Sequence, residues 1–504
     1  MRVLISILLF NQLIFSANIL SNCIVAPDTR TFERFQFTFP EQIESEHFIV
    51  HFTTSNADSQ FVNEQWLNLQ CNFGYAQSVI ELAEYALAIF MEADWEMMPP
   101  DCDEGITDEE SPNHCNNFGG NALYDIYLAN DAVGLVAPEN PYPVEPYIGG
   151  FTSFMQVTPL GNDHTFVPDW SVHVIAHELH HAIQIRYGTS VSGEPGNYAY
   201  NGWLYEQTST YMENVIFPAS YHFLVMMGNC NITSPLTYPE ISIDSSVDIY
   251  QYRSALWQKF LVEAYGDSTI NRLIWEGFGL ETATGNPVNM FPIYESALQT
   301  VTDGVTTLGD AYQDYALWRY FTGSRSRPGE FFMQAASYCT ANLLAIEETS
   351  TTFPSEKGGA RLVKLLPYET NLVLASSAYD NLLVQHISFS EEDEILMSSI
   401  EVNGEESFFQ LYNPAGDNHA LLITSEYTAE PGEEIEFTLA NTVPFMEGDI
   451  TGDSMVNVQD IIVQINIILH QIDPTEYQWL AADLDENNVV DVLDVILLVN
   501  LILG

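Results

Sequence analysis

The chain has 504 residues and a formal net charge of −56, because 13 Lys and Arg residues stand against 69 Asp and Glu residues. Nucleic acid and anionic membrane surfaces are therefore excluded as expected partners, since both would repel so acidic a chain. Hydrophobic residues make up 46% of the sequence, which is enough for folded cores, and the length predicts about three domains.

The first residues have the pattern of an export signal. Arg2 precedes an apolar stretch that continues, with polar interruptions, to Leu20. The stretch is too short and too broken for a membrane span, so we expect no transmembrane segment in the mature chain. We interpret 1–22 as a signal peptide and expect a secreted protein. Ala17 is an alternative cleavage point, and lipid attachment at Cys23, the minority alternative, would hold the protein at the cell surface.

The cysteine pattern fits an exported protein. Six cysteines occur in the sequence without a CxxC pair, so no zinc ribbon or redox motif is predicted. Cys102 and Cys115 flank an acidic loop and could close it as a local disulfide. The pairing of the other cysteines stays open.

The region 46–160 has a mixed α/β pattern. Short β-rich runs at 47–53, 122–129 and 154–160 are separated by a stretch of helical periodicity near 75–93. We expect a mixed sheet with a helix packed on it.

Helices are expected to dominate the next region. From 169 to 322 the apolar spacing is helical, and a polar break at 323–330 ends this part of the chain. Beyond the break, strand-like runs follow one another at short spacing, which predicts a small β-sandwich at 359–443. The chain is therefore predicted to belong to the α+β class.

A zinc-binding pattern lies in the first helical run, where VIAHELHHAIQ contains HExxH as His177, Glu178 and His181. Residues four apart share one face of a helix, so both imidazoles can bind one metal ion. A catalytic zinc site needs a third protein ligand and one open position. Glu206, at the start of the helical stretch WLYEQTSTYME, is the candidate, and Glu213 in the same stretch is its rival or a partner of a ligand.

These two segments resemble a known family. HExxH followed by WLxExxxxY is the gluzincin pattern, and over 46–322 the chain is similar to secreted, largely uncharacterised bacterial metalloproteases. One departure is Gln207, which stands where many members have Gly. The resemblance implies a gluzincin-like metallopeptidase domain with a mixed-sheet lobe and a helical lobe.

The resemblance also implies the roles of the site residues. It makes His177, His181 and Glu206 the ligands of one catalytic Zn²⁺. Glu178 would be the general base that takes a proton from the metal-activated water during peptide hydrolysis. Tyr252 is the expected donor to the developing oxyanion, with Arg253 as the alternative.

The neighbouring histidines His173 and His180 are assigned a structural or ligand-supporting role. His173 lies four residues before His177, so the two could share a helix face, but no Glu follows His173.

The end of the chain contains an internal repeat. DITGDSMVNVQDIIVQINIIL matches DLDENNVVDVLDVILLVNLIL at an offset of 34 residues, from Asp449 to Asp483. Read as twelve-position loops, the repeats place oxygen donors at spacings that suit Ca²⁺, with a backbone carbonyl at position seven. The first set is Asp449, Thr451, Asp453, Met455, Asn457 and Asp460, and the second is Asp483, Asp485, Asn487, Val489, Asp491 and Asp494.

An apolar helix is predicted after each loop and none before it, which distinguishes the pattern from an EF-hand. The segment 447–504 resembles the dockerin family. That resemblance implies two bound Ca²⁺ ions and a cohesin-like module or cell-surface scaffold as partner.

The sequence therefore predicts a secreted zinc endopeptidase that acts on a peptide or protein and is tethered through its dockerin. The alternative is a non-catalytic component, or another member of a polysaccharide-degrading complex, held by dockerin–cohesin binding. No motif indicates the pair of carboxylates that a glycoside hydrolase needs.

Overall fold

The computed structural model describes residues 34–503 except for gaps at 63–64, 103–104, 109–110, 112–113, 130–132, 161–164, 190–200, 283–287, 346–350, 357, 366–369, 377–379, 381, 390–394, 403, 405, 412–417, 426–433, 442–445, 452–454, 473, 475, 486 and 488. The expected signal peptide, 1–22, and Cys23 lie outside the described residues. The chain divides into two compact units. The first extends to Leu343 and includes Ser355–Leu362 and Thr424–Glu434, and the second contains the remainder.

A five-stranded mixed sheet forms the first part of the first unit. Strands β2, β5 and β7 run parallel, and β1 and β6 pair antiparallel at the two edges. Strands β3 and β4 pair separately. The sheet order is β1-β2-β5-β7-β6, and the strands are β1 (Glu41–Glu44), β2 (Phe48–Phe52), β3 (Ser59–Val62), β4 (Gln65–Asn68), β5 (Tyr124–Tyr127), β6 (Gly134–Pro141) and β7 (Phe151–Val157).

Strand β6 was not predicted from the sequence. It contains Pro138 and Pro141, which have no N–H to donate and interrupt a β-rich pattern. Prolines are tolerated here because β6 lies at the edge of the sheet and pairs only with β7.

Helix α1 (Phe73–Glu92) packs on the sheet and confirms the helical stretch predicted near 75–93. Asn72 caps its first turn by accepting the Tyr75 N–H at 3.0 Å. Its buried residues recur at helical spacing from Tyr75 to Phe90, as expected for a helix with one face against a sheet.

Helices dominate the rest of the first unit. Every residue of α2 from Val174 to Tyr187 is buried, because α2 packs against β6 and β7 as well as α1 and α3. Polar side chains on so buried a helix need partners inside the protein. The described helices are α2 (Val172–Tyr187), α3 (Gly202–Ile216), α4 (His222–Gly228), α5 (Tyr250–Arg253), α6 (Ala255–Tyr265), α7 (Ile270–Thr282), α8 (Met290–Val301) and α9 (Leu308–Tyr320).

The cysteines form two disulfides within the described residues. Cys102–Cys115 closes the acidic loop as predicted, with its Cα atoms 5.2 Å apart. Cys230–Cys339 joins residues separated by 109 positions and was not predicted. Cys71 is a buried free thiol, and burial raises its pKa to about 12.

Two packed β-sheets follow. Val363, Val384 and Leu421 from one sheet share a core with Leu374 and Leu439 from the other, which gives a β-sandwich. Strands β8 and β9 precede residue 359, so the strands begin earlier than the sequence predicts. The sheet orders are β13-β12-β15-β10-β8 and β14-β11-β16-β9, from β8 (Leu344–Ala345), β9 (Thr351–Glu356), β10 (Ala360–Lys364), β11 (Thr370–Ala375), β12 (Leu382–Phe389), β13 (Leu396–Ile400), β14 (Glu406–Leu411), β15 (Asn418–Ser425) and β16 (Glu434–Asn441).

The C-terminal segment is helical. Helices α10 (Val458–Ile468) and α12 (Val492–Leu503) follow the two predicted loops, as expected. The prediction that no helix precedes a loop is wrong for the second one, because α11 (Glu476–Ala482) ends directly before Asp483. A small core holds the segment together, formed by Ile450, Ile467, Ala481, Ala482 and Leu498.

The described residues therefore form a mixed α+β protein, as predicted. Among these residues, no helix is both long and apolar enough to cross a membrane.

Candidate metal centre

The three predicted zinc ligands lie together on two packed helices. His177 and His181 face the same side of α2, and Glu206 reaches them from α3. Glu206 Oε2 lies 3.0 Å from His177 Nε2 and 3.4 Å from His181 Nε2. All three side chains are buried, and one ligand atom from each lies within 4.8 Å of the other two.

Two further side chains orient the imidazoles. Glu213 Oε1 lies 2.6 Å from His177 Nδ1, and Gln184 Oε1 lies 2.7 Å from His181 Nδ1. Both acceptors favour a proton on Nδ1, which leaves each Nε2 as a lone-pair donor on the Glu206 side. Gln184 is itself held by the Thr208 hydroxyl at 2.7 Å. The sequence predicts Glu213 to be either the rival of Glu206 as a ligand or a partner of a ligand. In the structure it lies beside His177 Nδ1.

The residues present fit a zinc ion. With both Nδ1 atoms protonated, two imidazole nitrogens and a carboxylate oxygen face one another as acceptors, an arrangement that repels unless a cation lies among them. Ligands of a tetrahedral zinc at 2.0–2.2 Å are spaced about 3.3–3.6 Å apart. The distances of 3.0 and 3.4 Å from Glu206 are close to that spacing.

The electrostatics of the cluster keep the carboxylates ionised. Burial alone would raise the pKa of Glu206, but its interactions with His181 and His177 lower it to about 2. Burial likewise opposes ionisation of Glu213, and His222, His173 and His177 together hold its pKa well below the usual value. Burial lowers the pKa of His181 despite the nearby Glu206. A neutral imidazole beside an ionised carboxylate is the state that binds a metal.

Glu178, the expected general base, lies on α2 beside the ligands and is buried. Gly134, the first residue of β6, passes directly over it: a Cβ atom at this position would overlap the Glu178 carboxylate. Only glycine lets the edge strand come so close. Gly134 was not identified from the sequence, because the strand that carries it was missed.

Of the two expected oxyanion donors, Tyr252 has a ring contact with a predicted ligand. Its ring stacks at 24° to the His177 ring with centroids 5.9 Å apart. Arg253 instead donates to the backbone carbonyl oxygens of Thr233 at 3.0 Å and Asp248 at 2.6 Å.

His180 points away from the ligands. Its ring stacks on Phe90 with centroids 5.1 Å apart and meets Trp95 edge-on. Its Nδ1 lies 3.0 Å from the Ser209 hydroxyl. Burial lowers its pKa well below the usual value, so His180 is a neutral core residue.

Gln207, the departure from the family pattern, also lies outside the ligand cluster. Its amide donates to the Ile243 carbonyl oxygen at 3.1 Å and the Ser254 hydroxyl at 2.9 Å. It therefore packs between helices without replacing a ligand.

The first predicted calcium loop is organised around Asp460. This buried carboxylate accepts the backbone N–H groups of Thr451 and Asn457, each at 2.8 Å. The Thr451 hydroxyl donates to Asp449 at 3.2 Å. Asp453, the fifth-position ligand, lies outside the described residues.

The second loop repeats this arrangement. Asp494 accepts the backbone N–H groups of Asp485 at 3.2 Å and Asp491 at 2.8 Å. Carboxylate oxygens of Asp483, Asp485 and Asp494 lie within 4.8 Å of one another. The backbone N–H of Asn487 donates to both Asp483 at 3.1 Å and Asp485 at 3.2 Å. Converging carboxylates of this kind favour Ca²⁺.

The position-seven residues have exposed side chains. Met455 is 60% exposed and Val489 is 56% exposed, so only their backbone carbonyls are suited to a ligand role.

Comparison with known families covers two parts of the chain. Residues 447–503 match the dockerin type I domain, and residues 166–294 match a family described as of unknown function, DUF6055. The match to the family of unknown function contains His177, Glu206 and Tyr252. No curated protein matches the chain. The dockerin match supports calcium binding and attachment to a cohesin-bearing scaffold, whereas neither family description assigns peptidase activity.

Proposed function

We propose that the first unit is a zinc-dependent peptidase of the gluzincin type and that the dockerin tethers it to a scaffold outside the cell. The observation that carries the proposal is the convergence of His177, His181 and Glu206, with their donor atoms turned toward one another by Glu213 and Gln184. Three protein ligands leave a position open for water or substrate, as catalytic zinc requires.

The chemistry follows from the residues around that position. A zinc ion held there would polarise the scissile carbonyl and lower the pKa of a water molecule towards about 7. Glu178, adjacent to His177 in the chain but not a ligand, would accept the proton from that water and pass it to the leaving amine. The Tyr252 hydroxyl would donate to the carbonyl oxygen as negative charge develops on it.

Attachment depends on the C-terminal segment. The match of residues 447–503 to the dockerin type I domain supports docking on a cohesin module, and such docking is typical of secreted complexes that degrade polysaccharides. The enzyme would then act on proteins at or within such a complex.

The competing function is a non-catalytic member of the same kind of complex. The dockerin match supports this function directly, because docking is independent of catalysis and the match assigns no peptidase activity. The intact HExxH motif with a buried Glu178 is the feature that favours an enzyme, because a structural zinc site needs no general base.

Purified full-length protein distinguishes the two. We expect it to release peptides from an unfolded protein such as casein, to lose this activity with a chelator in excess calcium, and to regain it on addition of zinc. A polysaccharide incubated in parallel should release no sugar. If the zinc-loaded protein cleaves neither casein nor any member of a broad peptide library, the proposal is contradicted and the non-catalytic role remains.

A further inference from the structure

A second group of metal-binding side chains lies beside the proposed zinc centre. His173 is in the first turn of α2, Glu213 is in the last turn of α3, and His222 begins α4. Each offers one ligand atom, and these atoms all lie within 4.8 Å of one another. We propose that His173, Glu213 and His222 form a second metal site, distinct from the catalytic ligands, that binds a divalent transition ion such as Zn²⁺.

The donor set selects the class of ion. Two imidazole nitrogens and one carboxylate oxygen are ligands that suit Zn²⁺ and its neighbours in the first transition row. Ca²⁺ and Mg²⁺ prefer oxygen ligands throughout, so the calcium that fills the dockerin loops should not compete for this site.

The side chains are already arranged around a common point. His222 Nδ1 contacts Glu213 Oε2. The His173 and His222 rings stack at 15° with centroids 4.0 Å apart, so the two rings lie face to face. Within the described part of the chain, His173 Nδ1 is buried and makes no hydrogen bond. A buried nitrogen in this state destabilises the fold unless it gains a ligand or a partner.

The backbone before His222 supports the same conclusion. Tyr221 adopts φ 59° and ψ 5°, the left-handed region that a bulky residue rarely occupies. This turn reverses the chain between the end of α3 and the start of α4 and brings His222 back to Glu213. Strained residues of this kind persist where the surrounding structure imposes them, and they concentrate at functional sites.

The helix termini near this site act in opposite directions. His173 lies at the positive N-terminal end of α2, which opposes a cation, and Glu213 lies at the negative C-terminal end of α3, which favours one. Glu213 adds a negative charge at a helix terminus that already favours a cation.

Glu213 connects the two sites, because its Oε1 lies 2.6 Å from His177 Nδ1 while its Oε2 faces His222. Replacing Glu213 would disturb both centres. His173 and His222 are therefore the residues to change, and phenylalanine preserves the stacked ring without offering a ligand.

The test is the zinc stoichiometry of the full chain, stripped of transition metals, kept in excess calcium, and titrated against a chromophoric chelator. Wild type should bind two equivalents of zinc. His173→Phe and His222→Phe should each lose one equivalent and keep the other. His47→Phe is the matched control, because His47 also pairs with a carboxylate, Glu84 at 2.8 Å, and should leave two equivalents.

The catalytic ligand His181 separates the two proposals. His181→Phe should also bind one equivalent, and His181→Phe combined with His222→Phe should bind none. One equivalent in wild type that His222→Phe retains would overturn the second site. One equivalent that is lost in His222→Phe but retained in His181→Phe would support the second site and contradict the catalytic one. Thermal melting of each variant shows that the fold is intact.

Discussion

Glu213 Oε1 lies 2.6 Å from Nδ1 of His177, on the side of the ring opposite Glu206. In the proposed site Glu206 is therefore the zinc ligand, and Glu213 orients His177. In the His222→Phe background, which removes the second site, Glu206→Ala should abolish stoichiometric zinc binding. In the same background Glu213→Gln should weaken zinc binding by ~10–100-fold, the range typical for residues that orient a ligand. Chelator competition gives both values. Loss of zinc in Glu213→Gln with full retention in Glu206→Ala would reverse the assignment.

Gly134 and Glu178 provide a second prediction. Gly134→Ala places a methyl group where the Glu178 carboxylate lies, so the general base must move. A displacement of about 1 Å costs ~100-fold in activity when it misplaces a reacting group. We expect a loss of that size in peptide hydrolysis with zinc content unchanged, because the three atoms nearest to the added Cβ all belong to Glu178, which is not a ligand. Normal activity in this variant would mean that the position of Glu178 does not matter.

The buried pair in the β-sandwich predicts how stability depends on pH. His386 Nε2 lies 3.1 Å from His419 Nδ1, and burial, together with His419, lowers the pKa of His386 from 6.5 to about 4. The unfolded chain takes up a proton below pH 6.5 that the folded state resists. Stability should therefore fall as pH drops from 6.5 and level off below about 4.

His386→Gln removes this titration while keeping a polar group next to His419. Its free energy of unfolding should change less than that of wild type between pH 7 and pH 4. Denaturant unfolding followed at several pH values makes the comparison. An equal pH dependence in the two proteins would assign the effect to other groups.

A fourth prediction concerns the dockerin. An isolated 447–504 fragment has a small core, and the carboxylates of its second loop converge within 4.8 Å. Their repulsion is relieved only by a cation, so binding energy becomes folding energy. The fragment should be largely unfolded without Ca²⁺ and fold when it is added.

The second loop has four Asp residues among its predicted ligands and the first has three. Asp483→Ala should therefore reduce folding more than Asp449→Ala. Circular dichroism during a calcium titration measures this, and a spectrum that a chelator leaves unchanged would exclude calcium-dependent folding.

Much of the arrangement could be predicted from periodicity. Helix α2 has the bounds of the run VHVIAHELHHAIQIRY, because its apolar spacing is uninterrupted and Gly188 ends it. Strands β12 and β16 likewise coincide with the strand-like runs LLVQHISF and EIEFTLAN, in which β-branched and aromatic residues recur. The spacing of four residues was sufficient to predict that His177 and His181 lie on one face of the helix, without any tertiary information.

The features that were missed depend on contacts distant in sequence. The prolines of strand β6 argue against a strand in the sequence, and they are tolerated because β6 lies at a sheet edge. The cluster of His173 and His222 requires the reversal at Tyr221, whose left-handed conformation no local pattern indicates. Gln184 is three residues after His181, so helical spacing alone could have placed the two on one face. Its orientation, however, depends on the hydrogen bond that it donates to Thr208, which is distant in sequence.

In the proposed mechanism Glu178 performs the proton transfer at a zinc site formed by His177, His181 and Glu206. Glu178→Gln keeps the size of the side chain and removes its basicity, so hydrolysis of a peptide substrate should fall by at least ~100-fold. Zinc binding is measured in the His222→Phe background, in which the catalytic centre is the remaining zinc site. The stoichiometry should stay at one equivalent. Activity close to wild type in Glu178→Gln, with zinc bound, would contradict the proposed mechanism.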